Sequence, residues 1–152
     1  MAAMYTRSRP GVTLLELLCS LALLGVLLGM VAIPIARVAD VLAVRAARDA
    51  ILNAAARTRA LATRHGGAHL SVSAADGAVA ITTRDGVVAD TLVRLSSDYR
   101  VEVGFDDSRL AVATMRFDAL GLGRLANRTI RLRRGVVTAG VTFSAYGRAR
   151  PW

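Results

Sequence analysis

Gly11-Val12-Thr13-Leu14-Leu15-Glu16-Leu17-Leu18-Cys19-Ser20 opens a stretch that stays apolar as far as Ala36. From Leu17 to Ala36 twenty consecutive residues carry no formal charge and are rich in Leu, Val and Ala. At a rise of about 1.5 Å per residue, roughly 20 apolar residues in a helix match the ~30 Å hydrocarbon core of a bilayer. A chain of 152 residues has little core in which to hide so apolar a helix. A transmembrane helix is therefore expected over 12–36. Arg7 and Arg9 precede the run, while Arg37 and Asp40 are the charges that follow closely. The positive-inside rule then places the N-terminus in the cytoplasm and the remainder across the membrane.

Three kinds of processing compete for this segment. A secretory signal has a shorter apolar region, about 7–15 residues, ahead of a small-x-small cleavage site. Here the run is longer and passes unbroken into a helical pattern. Lipidation at Cys19 would need small residues before it, where Leu17 and Leu18 stand. Gly11-Val12-Thr13-Leu14-Leu15-Glu16-Leu17-Leu18 instead resembles the class III signal of type IV pilins and type II secretion pseudopilins, with Val12 where Phe is usual. The resemblance implies cleavage after Gly11 by a prepilin peptidase on the cytoplasmic side, and N-methylation of Val12. It makes 1–11 a cleaved leader and Glu16 the fifth mature residue. A carboxylate inside a membrane helix costs about 2.5–3.5 kcal/mol or more, so it normally has a partner or a function. The resemblance gives Glu16 one, pairing with the terminal amine of a neighbouring subunit during assembly. The alternative is a carboxylate close enough to the helix start to reach the interface.

Past Pro34, which is expected to kink the helix rather than end it, the segment 37–65 is rich in the helix formers Ala, Leu and Arg. Val44, Ala47, Ile51, Ala55 and Leu61/Ala62 recur at spacings of three, four or seven and form one apolar stripe, with Arg45, Arg48, Asp49 and Arg59 mainly away from it. That is an amphipathic helix packed against a domain, stopped by Gly66-Gly67. Beyond Gly67 the period changes to two. Asp76-Gly77 and Asp85-Gly86 sit between alternating runs as hairpin signals. Strands are expected at 69–73, 79–84, 87–95, 99–105, 110–117, 129–134 and 136–144. The fold class is α+β: one long N-terminal helix on an antiparallel β domain of six or seven strands spanning 66–152.

Charge is distributed unevenly. All 20 basic residues are Arg, against 9 Asp and 2 Glu. Residues 12–118 balance 11 Arg against all 11 acids, whereas 119–152 hold seven Arg and no acid. Such a block attracts anions, whether nucleic acid, lipid head groups or an acidic partner. Alternation in Thr129-Ile130-Arg131-Leu132-Arg133 puts Arg131 and Arg133 on one strand face. Gly147-Arg148-Ala149-Arg150-Pro151-Trp152 follows as a basic C-terminal tail, 147–152, in which two guanidinium forks suit phosphate and Trp152 suits either stacking on a base or resting on the sheet.

Together with Phe117-Asp118-Ala119-Leu120-Gly121-Leu122 and Ser144-Ala145-Tyr146-Gly147-Arg148, the whole pattern resembles the GspH/FimT family of minor pseudopilins. One branch of that family is pseudopilin H of type II protein secretion; the other is FimT, a type IV pilus minor pilin linked to DNA uptake. The resemblance implies an inner-membrane protein with a periplasmic β domain, assembled with other minor pilins into a filament or its tip. It implies double-stranded DNA as a partner through Arg148 and Arg150; Arg131 and Arg133 join them on charge geometry. A purely structural pseudopilin stays open beside it.

Enzyme motifs are missing: there is no G-x-S-x-G turn, phosphate-binding Walker loop, H-E-x-x-H or cysteine pair. His65 and His69 are separated by the helix-breaking Gly66-Gly67, and Asp106-Asp107 reads as a solvated loop. No catalytic residue, cofactor, metal or small-molecule substrate is expected.

Overall fold

A computed structural model describes residue 11 and residues 13–86, 88–124 and 127–152, without the side chains of 31–34 and 88–92. The chain divides into two compact units, 1–36 and 37–152. One helix, α1 (Leu14–His65), contributes to both and continues past Pro34 without a break. In the first unit α1 is long and apolar enough to cross a membrane. Its leucines from Leu14 to Leu28 are all more than half exposed within the chain, as a surface meant for lipid requires.

The second unit is the β domain with the amphipathic half of α1. Val44, Ala47, Ile51, Ala54, Ala55 and Ala62 are buried, which is the stripe expected from the sequence. Thr58 joins them because its hydroxyl donates to the Ala54 carbonyl at 2.7 Å, so that hydroxyl is not left unsatisfied. Arg59 departs from the expectation. Rather than pointing to solvent, its guanidinium lies 5.5 Å from the centre of the Phe117 ring and donates to the Gly147 carbonyl. A long aliphatic stem lets an arginine cover apolar surface in this way.

Among the described residues nine strands form two antiparallel sheets, more strands than the six or seven expected. The first has the order β3-β2-β1-β5-β6, the second β4-β7-β8-β9. The strands are β1 (Gly67–Ser73), β2 (Ala78–Thr83), β3 (Val88–Arg94), β4 (Glu102–Phe105), β5 (Val112–Asp118), β6 (Gly123–Arg124), β7 (Arg128–Arg134), β8 (Val137–Phe143) and β9 (Ala149–Pro151). A single helical turn, α2 (Leu95–Asp98), ends the first hairpin series and buries Leu95. Both Asp-Gly signals make hairpins. The Asp76 carboxylate accepts from the Ala78 N–H, and Gly77 and Gly86 take the positive φ these turns need. Leu70, Val72, Ile81, Met115 and Phe117 from the first sheet close one continuous core with Ile130, Leu132, Val141 and Phe143 from the second.

β6 and β9 are the unexpected strands. Two residues in one case and three in the other are too short to show a period. β9 makes the C-terminal residues an edge strand rather than a loose tail: Trp152 and Gly140 exchange both backbone hydrogen bonds at 3.1 Å. The two segments that carried the family resemblance also meet. Gly123 donates to the Tyr146 carbonyl at 2.9 Å, and a Cβ on Gly123 would lie 2.4 Å from the Gly147 Cα. Only paired glycines let the two backbones approach so closely.

Candidate functional site

At the N-terminal end, Gly11 and Thr13 are described, whereas Val12 and the leader residues 1–10 lie outside the described residues. The Thr13 hydroxyl accepts the Glu16 N–H at 3.3 Å and its carbonyl accepts the Leu17 N–H at 3.1 Å, so Thr13 caps α1. Thr and Glu three apart are the residues of a capping box. The helix-start field favours the Glu16 carboxylate there. No salt bridge to Glu16 is formed among the described residues, and its side chain is exposed in the first turn.

The four candidate arginines belong to the second sheet. On β7, Ile130 and Leu132 are buried and Arg131 and Arg133 exposed, as alternation requires. Register carries this outer face across the sheet: Arg131 pairs with Gly140 on β8, and Thr142 pairs with Arg150 on β9. The Arg148 carbonyl accepts the Ser144 N–H at 3.0 Å and the Arg148 N–H donates to the Ser144 hydroxyl at 3.1 Å; Ser144 is two residues from Thr142, so Arg148 shares the face. Trp152 lies over Gly140, where an added Cβ would meet its ring at 2.5 Å. The structure thus brings Arg131, Arg148, Arg150 and Trp152 to one surface. Arg133 shares the face but is engaged, with its Nε 3.0 Å from the Glu102 carboxylate.

Folding also reduces the charge of the C-terminal block. Arg134 pairs with Asp40 at 2.8 Å, Arg133 with Glu102, and Arg124 loosely with Asp118 at 3.8 Å. Three of the seven arginines meet acids from earlier in the chain, so the +7 read from sequence leaves an unpaired +4 among the described residues. Linear charge counting overlooks partners brought in by the sheet.

Sequence reasoning missed a second basic surface. A groove of about 830 Å³ opens on the outer face of the first sheet, lined by His69, Arg84, Arg116, Asp118, Leu120 and Arg124 among others. His69 on β1 pairs with Arg116 on β5, which pairs with Arg124 on β6. The residues are spread over 55 positions of sequence, from 69 to 124, so only register assembles them.

Groups read as inert stay apart. His65 ends α1 while His69 is in β1, and Asp107 accepts the Arg109 N–H at 3.0 Å as a loop-closing side chain. Among the described residues no cluster of three or more His, Cys, Asp or Glu could hold a metal.

Residues 6–32 match the model of the prokaryotic N-terminal methylation motif. Comparison with curated proteins and with solved structures gives no match. The motif implies processing by a prepilin peptidase and assembly with other pilins. Joined to one membrane-capable helix and an α+β domain, it supports a single-pass, membrane-anchored protein of the type IV pilin or pseudopilin kind.

Proposed function

We propose that this chain is a minor pilin of the GspH/FimT family that captures double-stranded DNA. The methylation motif over 6–32 is the observation that supports the pilin part. In this reading a prepilin peptidase cuts between Gly11 and Val12 and the new amine is methylated. The helix 12–36 holds the subunit in the inner membrane, and 37–65 and 66–152 face the periplasm. Glu16 pairs with the terminal amine of an adjacent subunit as the helix leaves the bilayer for the filament. The pairing replaces a costly lone carboxylate with an ion pair, which gives extraction a direction. The role is assembly and binding, with no catalytic step.

DNA capture rests on Arg131, Arg148 and Arg150 around Trp152 on the second sheet. Guanidinium forks held on a rigid strand contact phosphates without reading bases, so binding is sequence-tolerant and salt-sensitive. Arg133 adds charge at the margin, weakened by Glu102. For a three- to four-phosphate footprint, log K falls against log salt with a slope near −3, about 0.9 per phosphate. Titrating a DNA duplex with the full-length protein in uncharged detergent, across a salt series, tests this. Arg148→Ala with Arg150→Ala should abolish most binding and flatten the slope by about 2. Salt-insensitive binding, or binding unchanged in the double variant, refutes it.

One observation favours a second reading, a structural pseudopilin H of type II secretion. The C-terminal residues are laid down as β9, with Trp152 against Gly140, and that contact is also what an edge-closing structural strand needs. Protein secretion would then fail in a deletion strain and DNA uptake would not.

A further inference from the structure

The groove on the first sheet has no role in either reading. Arg116 and Arg124 stand directly opposite each other on β5 and β6. Side chains so placed are about 4.5–5.5 Å apart at Cβ, and like charges there are destabilising. Both are exposed, and Arg84 reaches the same space from the turn after β2. Among the described residues no carboxylate pairs with Arg84 or Arg116. Asp118, the one acid in the lining, is committed elsewhere: its Oδ1 accepts the Leu120 and Leu122 N–H groups at 3.0 and 2.9 Å. Its contact with Arg124 is a long 3.8 Å. His69, beside Arg116, has a buried Nδ1 with no hydrogen-bond partner.

We propose that this groove binds a small phosphate monoester, whose phosphate is held by Arg116, Arg124 and Arg84. Three arginines less one aspartate give the lining +2, which matches a phosphate monoester carrying about −1.5 to −2 at neutral pH. A carboxylate offers two oxygens and one charge, and so leaves a guanidinium unanswered. Phosphate offers three oxygens to forks that approach from adjacent strands. The volume, about 830 Å³, exceeds what a bare ion needs and falls in the range of about 300–1,000 Å³ for small-molecule sites. Leu120, 78% exposed, supplies apolar wall for the organic part. The ligand is therefore a phosphate joined to a compact organic group such as a sugar or nucleoside. The proposal does not depend on DNA capture, which uses the other sheet, and it adds the small-molecule partner that the sequence gave no reason to expect.

Calorimetric titration of the full-length protein in uncharged detergent, at fixed ionic strength, tests it with inorganic phosphate, adenosine monophosphate and acetate as probes. Saturable binding of one equivalent is expected, tighter for the nucleotide than for phosphate and absent for acetate. Arg116→Gln or Arg124→Gln should each weaken it at least tenfold. Each should also leave the unliganded melting temperature unchanged or raise it by about 1–3 °C, because a like-charge pair is relieved. Arg148→Gln with Arg150→Gln should have no effect. If the strand variants fail to fold, Arg84→Gln, in the turn, carries the same expectation of weakened binding. Lack of saturable binding by both phosphate probes overturns the proposal. So does equal weakening by the C-terminal variants, or a loss of duplex DNA binding in Arg116→Gln with phosphate binding intact.

Discussion

Gly147→Ala isolates the contact on which the two motif-bearing turns depend. Gly147 has φ +78, and an added Cβ would sit 2.7 Å from Phe117 Cε1 and 2.8 Å from the Gly123 Cα. Gly66 provides a matched control. Its φ is +70, yet a Cβ there meets nothing within 4 Å. Both substitutions force an L residue into the left-handed region, at about 1–2 kcal/mol. Both also reduce the freedom of the unfolded chain by the same amount, which cancels in the comparison. Only Gly147→Ala adds overpacking, typically about 1–3 kcal/mol. The expected losses are therefore about 1–2 kcal/mol for Gly66→Ala and about 2–5 kcal/mol for Gly147→Ala. Urea unfolding of the detergent-solubilised protein measures this through Trp152, the single tryptophan, which pairs with Gly140 at the far end of the β8-β9 hairpin. With a slope of about 1–3 kcal/mol per molar, the two midpoints should separate by on the order of 1 M. Equal midpoints would refute the packing of Gly147 against Phe117 and Gly123.

Other perturbations separate contacts that matter from contacts that only look similar. Arg134→Ala should cost about 1.5–3 kcal/mol, because Arg134 joins Asp40 of α1 to the Tyr99 carbonyl and both charged side chains are only 26% exposed. Arg133→Ala should cost under about 1 kcal/mol, since its pair with Glu102 is 64% and 73% exposed; thermal melts of the two variants should rank accordingly. Hydrogen bonds from the Ser73 side chain and then the Ala78 backbone hold the Asp76 carboxyl below its ordinary value of 3.8. A lowered folded pKa gives stability that is complete above 3.8 and is lost as pH falls through the folded value. Asp76→Asn should therefore flatten part of the acid limb below pH 3.8 in a melting-temperature profile and leave the neutral side unchanged in shape. Glu16→Ala should leave the protein processed and in the membrane while removing it from sheared filaments, as read by immunoblotting of the two fractions.

The helix and its buried stripe were legible in the sequence because a 3.6-residue period repeated over Val44–Ala62 leaves little choice of face. The two Asp-Gly turns were legible because few residues accept positive φ. The division into two sheets was not, since strand partners are chosen by the global core and not by local pattern. Arg59 shows a related failure. Periodicity placed it away from the stripe, yet Phe117 and the Gly147 carbonyl, 58 and 88 positions later, draw it in. The candidate DNA surface was readable as a set of residues, and β9 then fixed which of them share a face. The phosphate groove was invisible in sequence. His69, Arg84, Arg116 and Arg124 are unremarkable singly; the β1-β5-β6 register puts His69, Arg116 and Arg124 in one row, and the turn after β2 brings Arg84 to the same groove.

The most direct test of the pilin account is intact-mass and peptide analysis of the protein from membranes of cells with an active prepilin peptidase. A mature chain that begins at N-methylated Val12, with residues 1–11 removed, is the predicted result. A chain that retains its leader in those cells, or that is cut elsewhere, would contradict it.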